Sequence, residues 1–260
     1  MTKRGMIYLG TNTKMYKTNA ETEKYLKELE ELTRDIPEET AELFVIPSYT
    51  SLPAARELLK GSHIRLGAQN MCWEEQGQFT GEISPLMLKE LAIDIVEIGH
   101  SERRHVFRET DEEEGKKVSA ALEHGFTALL CVGETLEQRK AGISDEVLSI
   151  QLKMGLQGVT EHRRLWVAYE PVWAIGVNGI PAAEEYVNER HRRLKRVLEE
   201  LFGREKASVI PVLYGGSVNP GNVVPLISQP WVDGLFIGRS AWKAESFNRL
   251  IRMVLQSRTE

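Results

Sequence analysis

Eight short apolar runs rich in β-branched residues recur along this chain, separated by amphipathic stretches. The runs are Met6 to Gly10, Leu43 to Ile46, Ile64 to Gly67, Ile93 to Ile98, Thr127 to Val132, Leu165 to Ala168, Ser208 to Leu213 and Gly234 to Ile237. Between them, apolar residues stand at helical spacing in Glu21 to Leu32, Ser119 to His124 and Tyr186 to Leu201. Eight such βα repeats favour an α/β fold, a closed (β/α)₈ barrel, over an open sheet.

The length and composition narrow the possible classes of protein. At 260 residues without an evident linker, the sequence predicts a single barrel domain over residues 1–260. The net charge of -5 gives no general attraction to nucleic acid, and the basic residues of segment 190–196 stand between Glu189 and the pair Glu199-Glu200, as on a solvated helix face. No apolar run approaches the ~20 residues that cross a bilayer, and the start is too polar for a signal peptide. Cys72 and Cys131 lack the spacing of a metal site or a disulfide framework, so we expect a cytoplasmic, metal-free protein.

Three of the apolar runs end in residues suited to proton transfer. Asn12 and Lys14 follow the first run, His100 and Glu102 follow the fourth, and Glu170 follows the sixth. Each alone is a weak signal, because a lone lysine is usually at the surface and a lone histidine is often a satisfied hydrogen-bonding group. The C-terminal ends of the strands lie together at one mouth of a barrel. A cation, a neutral group that polarises the carbonyl and a general base together form a complete set for removing a proton from the carbon next to that carbonyl.

Glycines after the last two runs predict a phosphate site. Residues 214–217 (YGGS) follow the seventh run, and residues 238–240 (GRS) follow the eighth. Glycines there let backbone N–H groups approach an anion, although they can also simply form tight turns. Segment 171–181, PVWAIGVNGIP, has proline at each end and small residues at its tip. That composition suits a lid that excludes water, with an exposed hydrophobic loop as the alternative.

Over nearly its full length the sequence resembles the triosephosphate isomerases, a family of TIM barrels. The resemblance is carried by the segments 12–14 (NTK), 67–70 (GAQN), 79–85 (FTGEISP), 97–104 (EIGHSERR), 169–176 (YEPVWAIG) and 214–217 (YGGS). It implies that Glu170 shuttles the proton, His100 polarises the carbonyl oxygens as a neutral imidazole, Lys14 stabilises negative charge and Asn12 positions oxygen. It also implies that Glu102 is a buried acid beside Lys14.

The resemblance further implies how the substrate and a second chain are held. Gly176, Ser217 and Gly238 would supply phosphate-facing N–H groups, and no metal or organic cofactor would be needed. A homodimer would form through the loop from Met71 to Gly81. Thr80 would then lie near the partner's Asn12 and His100, and Glu82 would pair with the partner's Arg103.

Three departures from the usual family pattern surround the predicted mouth. They are Thr13, the pair Val177-Asn178 at the lid tip, and Arg239 in place of a glycine. The Arg239 guanidinium would bind phosphate or reach a larger substrate, or else it points outward. Residues 178–182 (NGIPA) and 238–242 (GRSAW) are similar to the branch of the family that isomerises erythrulose phosphates. The sequence therefore favours a tetrulose phosphate isomerase, with an orthodox triosephosphate isomerase or a non-catalytic phosphosugar-binding barrel as alternatives.

Overall fold

A computed structural model of the chain describes residues 5–176 and 179–258. Its eight parallel strands pair in chain order and the eighth pairs with the first, so the sheet closes into the predicted (β/α)₈ barrel. The strands are β1 (Ile7–Asn12), β2 (Ala41–Ile46), β3 (Ile64–Ala68), β4 (Ile95–Ile98), β5 (Thr127–Val132), β6 (Leu165–Tyr169), β7 (Val212–Tyr214) and β8 (Gly234–Phe236).

Helices occupy the connections between the strands. They are α1 (Asn19–Thr33), α2 (Leu52–Leu58), α3 (Pro85–Glu90), α4 (Ser101–His105), α5 (Asp111–Glu123), α6 (Leu136–Lys140), α7 (Ser144–Gly155), α8 (Glu184–Phe202), α9 (Arg204–Ser208), α10 (Val223–Ile227) and α11 (Ala244–Gln256). Short 3₁₀ turns lie at Tyr49–Ser51, Val172–Ala174 and Arg239–Ala241. Among the residues that the structure describes, no helix combines the length and the apolar character needed to cross a membrane.

Two elements begin farther from the predicted segments than the others do, each for a local reason. The seventh run was expected to begin its strand at Ser208, but Ser208 ends α9 and the exposed Val209 follows it, so β7 starts only at Val212. The helix predicted from Ser119 begins at Asp111 instead. Its earlier start comes from a capping box, in which the side chain and backbone of Thr110 exchange hydrogen bonds with Glu113.

The strands separate two apolar layers. Inside the barrel, a cluster contains Phe44, Ile46, Ile95, Leu129, Cys131, Trp166, Ala168, Leu213 and Phe236. Val96 and Ile98 of β4 instead join the larger cluster that includes the residues of the surrounding helices. Because side chains alternate along a strand, Glu97 faces inward above Ile95, and it is completely buried although it is an acid.

The first and last strands meet where the barrel closes. The Ile237 N–H donates to the Gly10 carbonyl at 2.7 Å, and the Trp242 indole N–H donates to the Asn12 carbonyl at 2.9 Å. The ring of Tyr16 packs on that of Trp242 with 4.5 Å between centroids. Residues from the first and last βα loops are thereby fixed next to each other at the mouth.

Candidate active site

A pocket opens at the C-terminal ends of the strands. All of the site residues predicted from the sequence line it: Asn12, Lys14, His100, Glu102, Glu170, Gly176, Ser217, Gly238 and Arg239. The groups expected to move protons come from the loops after β1, β4 and β6, and those expected to bind phosphate come from the loops after β6, β7 and β8. After these expectations, we call the part of the pocket lined by the first group the proton-transfer end and the part lined by the second group the anion-binding end.

Glu170 directly follows β6 and is buried, with 3% of its surface exposed. Its Oε2 accepts the Ser101 backbone N–H at 3.3 Å, and its Oε1 lies 3.6 Å from His100 Nε2. Gly215 makes room for it, since a Cβ there would come within 2.7 Å of Glu170 Cγ. Burial raises the pKa of the Glu170 carboxyl to about 7, against the opposing influence of the Lys14 charge. A carboxyl with a pKa near neutral is well matched to accepting a proton from carbon and returning it.

His100 is the N-cap of α4, and this position fixes its protonation. Its Nδ1 accepts the backbone N–H of Glu102 at 3.1 Å, so the proton of the neutral ring is on Nε2, the nitrogen nearer Glu170. Burial lowers the pKa of His100 to about 3, and the Lys14 charge adds to the effect. The imidazole is therefore neutral at physiological pH and can donate one hydrogen bond through Nε2–H.

Lys14 has a left-handed backbone, with φ of 52°, and the Asn12 side chain supports that conformation. The Asn12 Oδ1 accepts the Lys14 backbone N–H at 2.5 Å. The Lys14 ammonium lies 2.7 Å from Glu102 Oε1, as expected. The Glu102 side chain is not buried, however, since 49% of it is exposed against 17% for Lys14. The reason is its place in the first turn of α4, at the rim of the mouth.

At the anion-binding end, Arg239 connects two loops. Its Nη2 donates to the Gly176 carbonyl at 2.9 Å, so the guanidinium reaches the lid segment rather than pointing away from the mouth. The Ser240 hydroxyl donates to the Val218 carbonyl at 2.7 Å, which ties the loop after β8 to the loop after β7. Three chain segments are thus linked around the space where a phosphate would bind.

The base of the predicted lid is anchored to a buried acid. Trp173 donates its indole N–H to Glu134 Oε1 at 3.0 Å, and the hydroxyls of Tyr169 and Tyr186 donate to the same carboxylate. The Val172 backbone N–H bonds to the Glu134 carbonyl. Two residues of the predicted lid, Val177 and Asn178, lie outside the described residues.

The sequence reasoning missed one residue of this region, Glu97. Asn12 Nδ2 donates to Glu97 Oε2 at 2.6 Å. One possible ligand atom from each of Glu97, His100 and Glu170 lies within 4.8 Å of the others, a set that could hold a metal ion. The signal was present in the sequence, because Glu97 is flanked on both sides by apolar residues of the run IVEI, and an acid buried there requires a partner.

Comparisons with known proteins agree with this geometry. A family model described as triosephosphate isomerase matches residues 7–254. A protein of Rhizobium etli named L-erythrulose-1-phosphate isomerase is 50% identical over 254 residues, which cover 96% of this chain and 92% of the relative. Proteins of the same name from Rhizobium meliloti and Mesorhizobium japonicum are 46% and 47% identical. They cover 99% and 94% of this chain and 100% and 95% of their own lengths, respectively.

Proposed function

Because the chain belongs to the triosephosphate isomerase family, we propose that it interconverts L-erythrulose 1-phosphate and D-erythrulose 4-phosphate. It is an isomerase of this family, and the finer assignment concerns its substrate. The observation that carries the assignment is the name shared by relatives 46–50% identical over most of the chain. The placement of Lys14, His100 and Glu170 in one pocket supports the chemistry.

The proposed reaction exchanges a carbonyl and a hydroxyl between C2 and C3 of the tetrulose. Glu170 removes the proton from C3, and the electrons of that C–H bond form a C2=C3 double bond while the negative charge moves to O2. The charge is stabilised by the Lys14 ammonium and the His100 Nε2–H. After a proton moves from O3 to O2, the protonated Glu170 returns its proton to C2 and the carbonyl re-forms at C3. Atoms and electrons balance without a redox cofactor.

Binding of the phosphate at the anion-binding end would fix the orientation of the substrate in the pocket. Gly176, Ser217 and Gly238 line that end, and the Arg239 guanidinium adds a positive charge. With the phosphate held there, C3, which is the reacting carbon farther from the phosphate, lies on the side of Asn12 and His100. A tetrulose phosphate differs from the triose at that carbon, which carries a hydroxymethyl group in place of a hydrogen.

The first experiment compares kcat/KM of the purified protein on L-erythrulose 1-phosphate and on glyceraldehyde 3-phosphate. We expect a large preference for the tetrulose, and the same rates with and without a chelator, since Lys14 and His100 handle the oxygen. A large preference for the triose would instead identify an orthodox triosephosphate isomerase. Chelator-sensitive turnover would assign Glu97, His100 and Glu170 to a metal ion.

We also propose a homodimer formed around the loop 71–81. Residues 74–81 of this loop are exposed, Thr80 among them. Exposed apolar side chains also follow three strands at the same end of the barrel: Met15 and Tyr16 after β1, Phe79 after β3, and Val106 and Phe107 after β4. Covering these side chains would remove a large apolar surface from water. Glu82 is exposed as well and is available for the expected pair with the partner's Arg103, which within its own chain bonds to Glu109.

Sedimentation should give a mass twice the 29.5 kDa of one chain. The change Phe79→Glu should produce a species of single-chain mass with lower kcat, because it places a charge in the apolar contact. Ile150→Glu is the matched control, since Ile150 is an exposed apolar residue of α7, away from these loops. A wild-type protein of single-chain mass would contradict the dimer.

A cytoplasmic location belongs to the same proposal. Cys72 and Cys131 are both free thiols and both buried. Unpaired cysteines are typical of proteins that work in reducing compartments.

A further inference from the structure

Glu97 determines which way the Asn12 amide points. Asn12 Nδ2 donates to Glu97 Oε2 at 2.6 Å, while Asn12 Oδ1 accepts the Lys14 backbone N–H at 2.5 Å. The amide is therefore fixed at both ends. A side-chain amide has two N–H groups, so one remains to donate into the pocket that Asn12 lines.

Glu97 is suited to this role as a neutral acid. It is completely buried. Burial raises its pKa well above the ordinary value, and the nearby Glu170 carboxylate acts in the same direction. A neutral carboxyl offers a carbonyl oxygen to Asn12 without adding a second negative charge beside Glu170. The titratable and charged groups around it are Lys14, His100, Glu102, Cys131 and Glu170.

The Asn12 amide bonds to Glu97, and ligand atoms of Glu97, His100 and Glu170 lie within 4.8 Å of one another, so the amide is beside the two residues expected to act on the reacting carbons. With the phosphate bound next to Gly176 and Gly238, the carbon at which the two substrates differ would lie on the side of these residues. The hydroxymethyl group of a tetrulose brings a hydroxyl to that buried region, and the hydroxyl needs a hydrogen-bond partner there. A site built to bond a hydroxyl discriminates strongly against the analogue that lacks it.

We propose that Glu97 is a positioning residue that holds Asn12 in the orientation required to bind the terminal hydroxyl of a tetrulose phosphate. Glu97 thereby favours four-carbon over three-carbon substrates. The inference rests on the proposed function and names the part of the site that selects the substrate.

The test measures kcat/KM on both substrates for Glu97→Leu and Glu97→Gln. Leucine cannot accept the Asn12 hydrogen bond, so Glu97→Leu should lower the tetrulose-to-triose ratio by about tenfold or more. Glutamine keeps an acceptor oxygen, so Glu97→Gln should recover most of that loss. Glu114→Leu is the matched control and should leave the ratio unchanged, because Glu114 is a buried glutamate of α5 that does not line the pocket.

The outcomes separate this inference from the proposed function. If the wild-type protein does not convert the tetrulose phosphate, both the proposed function and the role of Glu97 are wrong. If the wild type converts it and Glu97→Leu lowers both rates equally, Glu97 is only structural and the inference fails. Additive losses for Glu97→Leu and Asn12→Ala would also overturn it, because residues that act through each other are not independent.

The pH dependence of kcat/KM tests the role of the neutral Glu97 carboxyl without the apolar variant, in case Glu97→Leu does not fold. A neutral Glu97 ionises as the pH rises, and the new charge opposes formation of the enediolate beside Glu170. The wild-type kcat/KM should therefore fall as the pH rises through the range in which Glu97 ionises, and the Glu97→Gln profile should lack that fall. The same fall in both proteins would show that Glu97 does not act in its neutral form.

Discussion

The change Glu170→Asp should lower kcat about a hundredfold and change KM little, because it displaces the carboxylate by about 1 Å from the carbon whose proton it removes. The residue is held closely, with Oε2 at 3.3 Å from the Ser101 nitrogen and Gly215 leaving space for its side chain. Phosphate binding is remote from this change, so ground-state affinity should remain. Steady-state kinetics on the preferred substrate measures both constants.

The pH dependence supplies a second readout for Glu170. Burial raises its pKa to about 7, and only the ionised carboxylate can accept a proton, so kcat/KM should fall as the pH drops below about 7.

The control for Glu170→Asp is Glu114→Asp, since it shortens a buried glutamate outside the pocket. Wild-type turnover in the Glu170→Asp protein would remove Glu170 as the base.

Loss of the Lys14 charge should be comparably severe. Lys14→Met keeps a long side chain but removes the cation facing the developing enediolate, and we expect kcat/KM to fall about 10²- to 10³-fold. The acid limb should also move to higher pH. Burial raises the Glu170 pKa and the Lys14 charge holds it down, so removing that charge makes Glu170 harder to ionise.

The neighbouring Lys17 provides the control. Its ammonium lies 5.0 Å from the centre of the Tyr25 ring and does not line the pocket, so Lys17→Met should preserve turnover and the position of the acid limb. An equal loss in both variants would mean that general charge near the mouth matters rather than the Lys14 position. If the acid limb of Lys14→Met does not shift, the Lys14 charge does not affect the pKa of Glu170.

Periodicity was sufficient to predict the barrel but not all of its boundaries. All eight apolar runs overlap observed strands, because a parallel strand buried on both faces needs a continuous apolar run. At β7 the apolar run was longer than the strand. Val209 and Ile210 have the composition of a strand, yet they follow directly on α9, and a helix end cannot be located from β-branched residues alone.

The positions of candidate site residues could be predicted where a polar residue directly follows a strand. They could not be predicted where they depend on contacts between residues far apart in the sequence. Lys14, His100 and Glu170 stand at strand ends, and closure of the barrel brings them into one pocket. The exposure of Glu102 depends on how α4 sits at the rim, which the motif does not encode. The bond from Asn12 to Glu97 joins residues 85 positions apart, and only the packed barrel places those two side chains together.

The closure of β8 on β1 also bears on how this protein is made. Asn12 is held through its carbonyl by Trp242, 230 positions later in the chain. At about 5–20 residues per second, synthesis of the intervening segment takes roughly 10–50 s. Throughout that interval the nascent chain lacks the loop after β8 and the indole that bonds to the Asn12 carbonyl. We therefore expect a ribosome-bound chain to lack both the Trp242 bond to Asn12 and the loop that carries Gly238, and turnover to begin only after the last strand has left the ribosome.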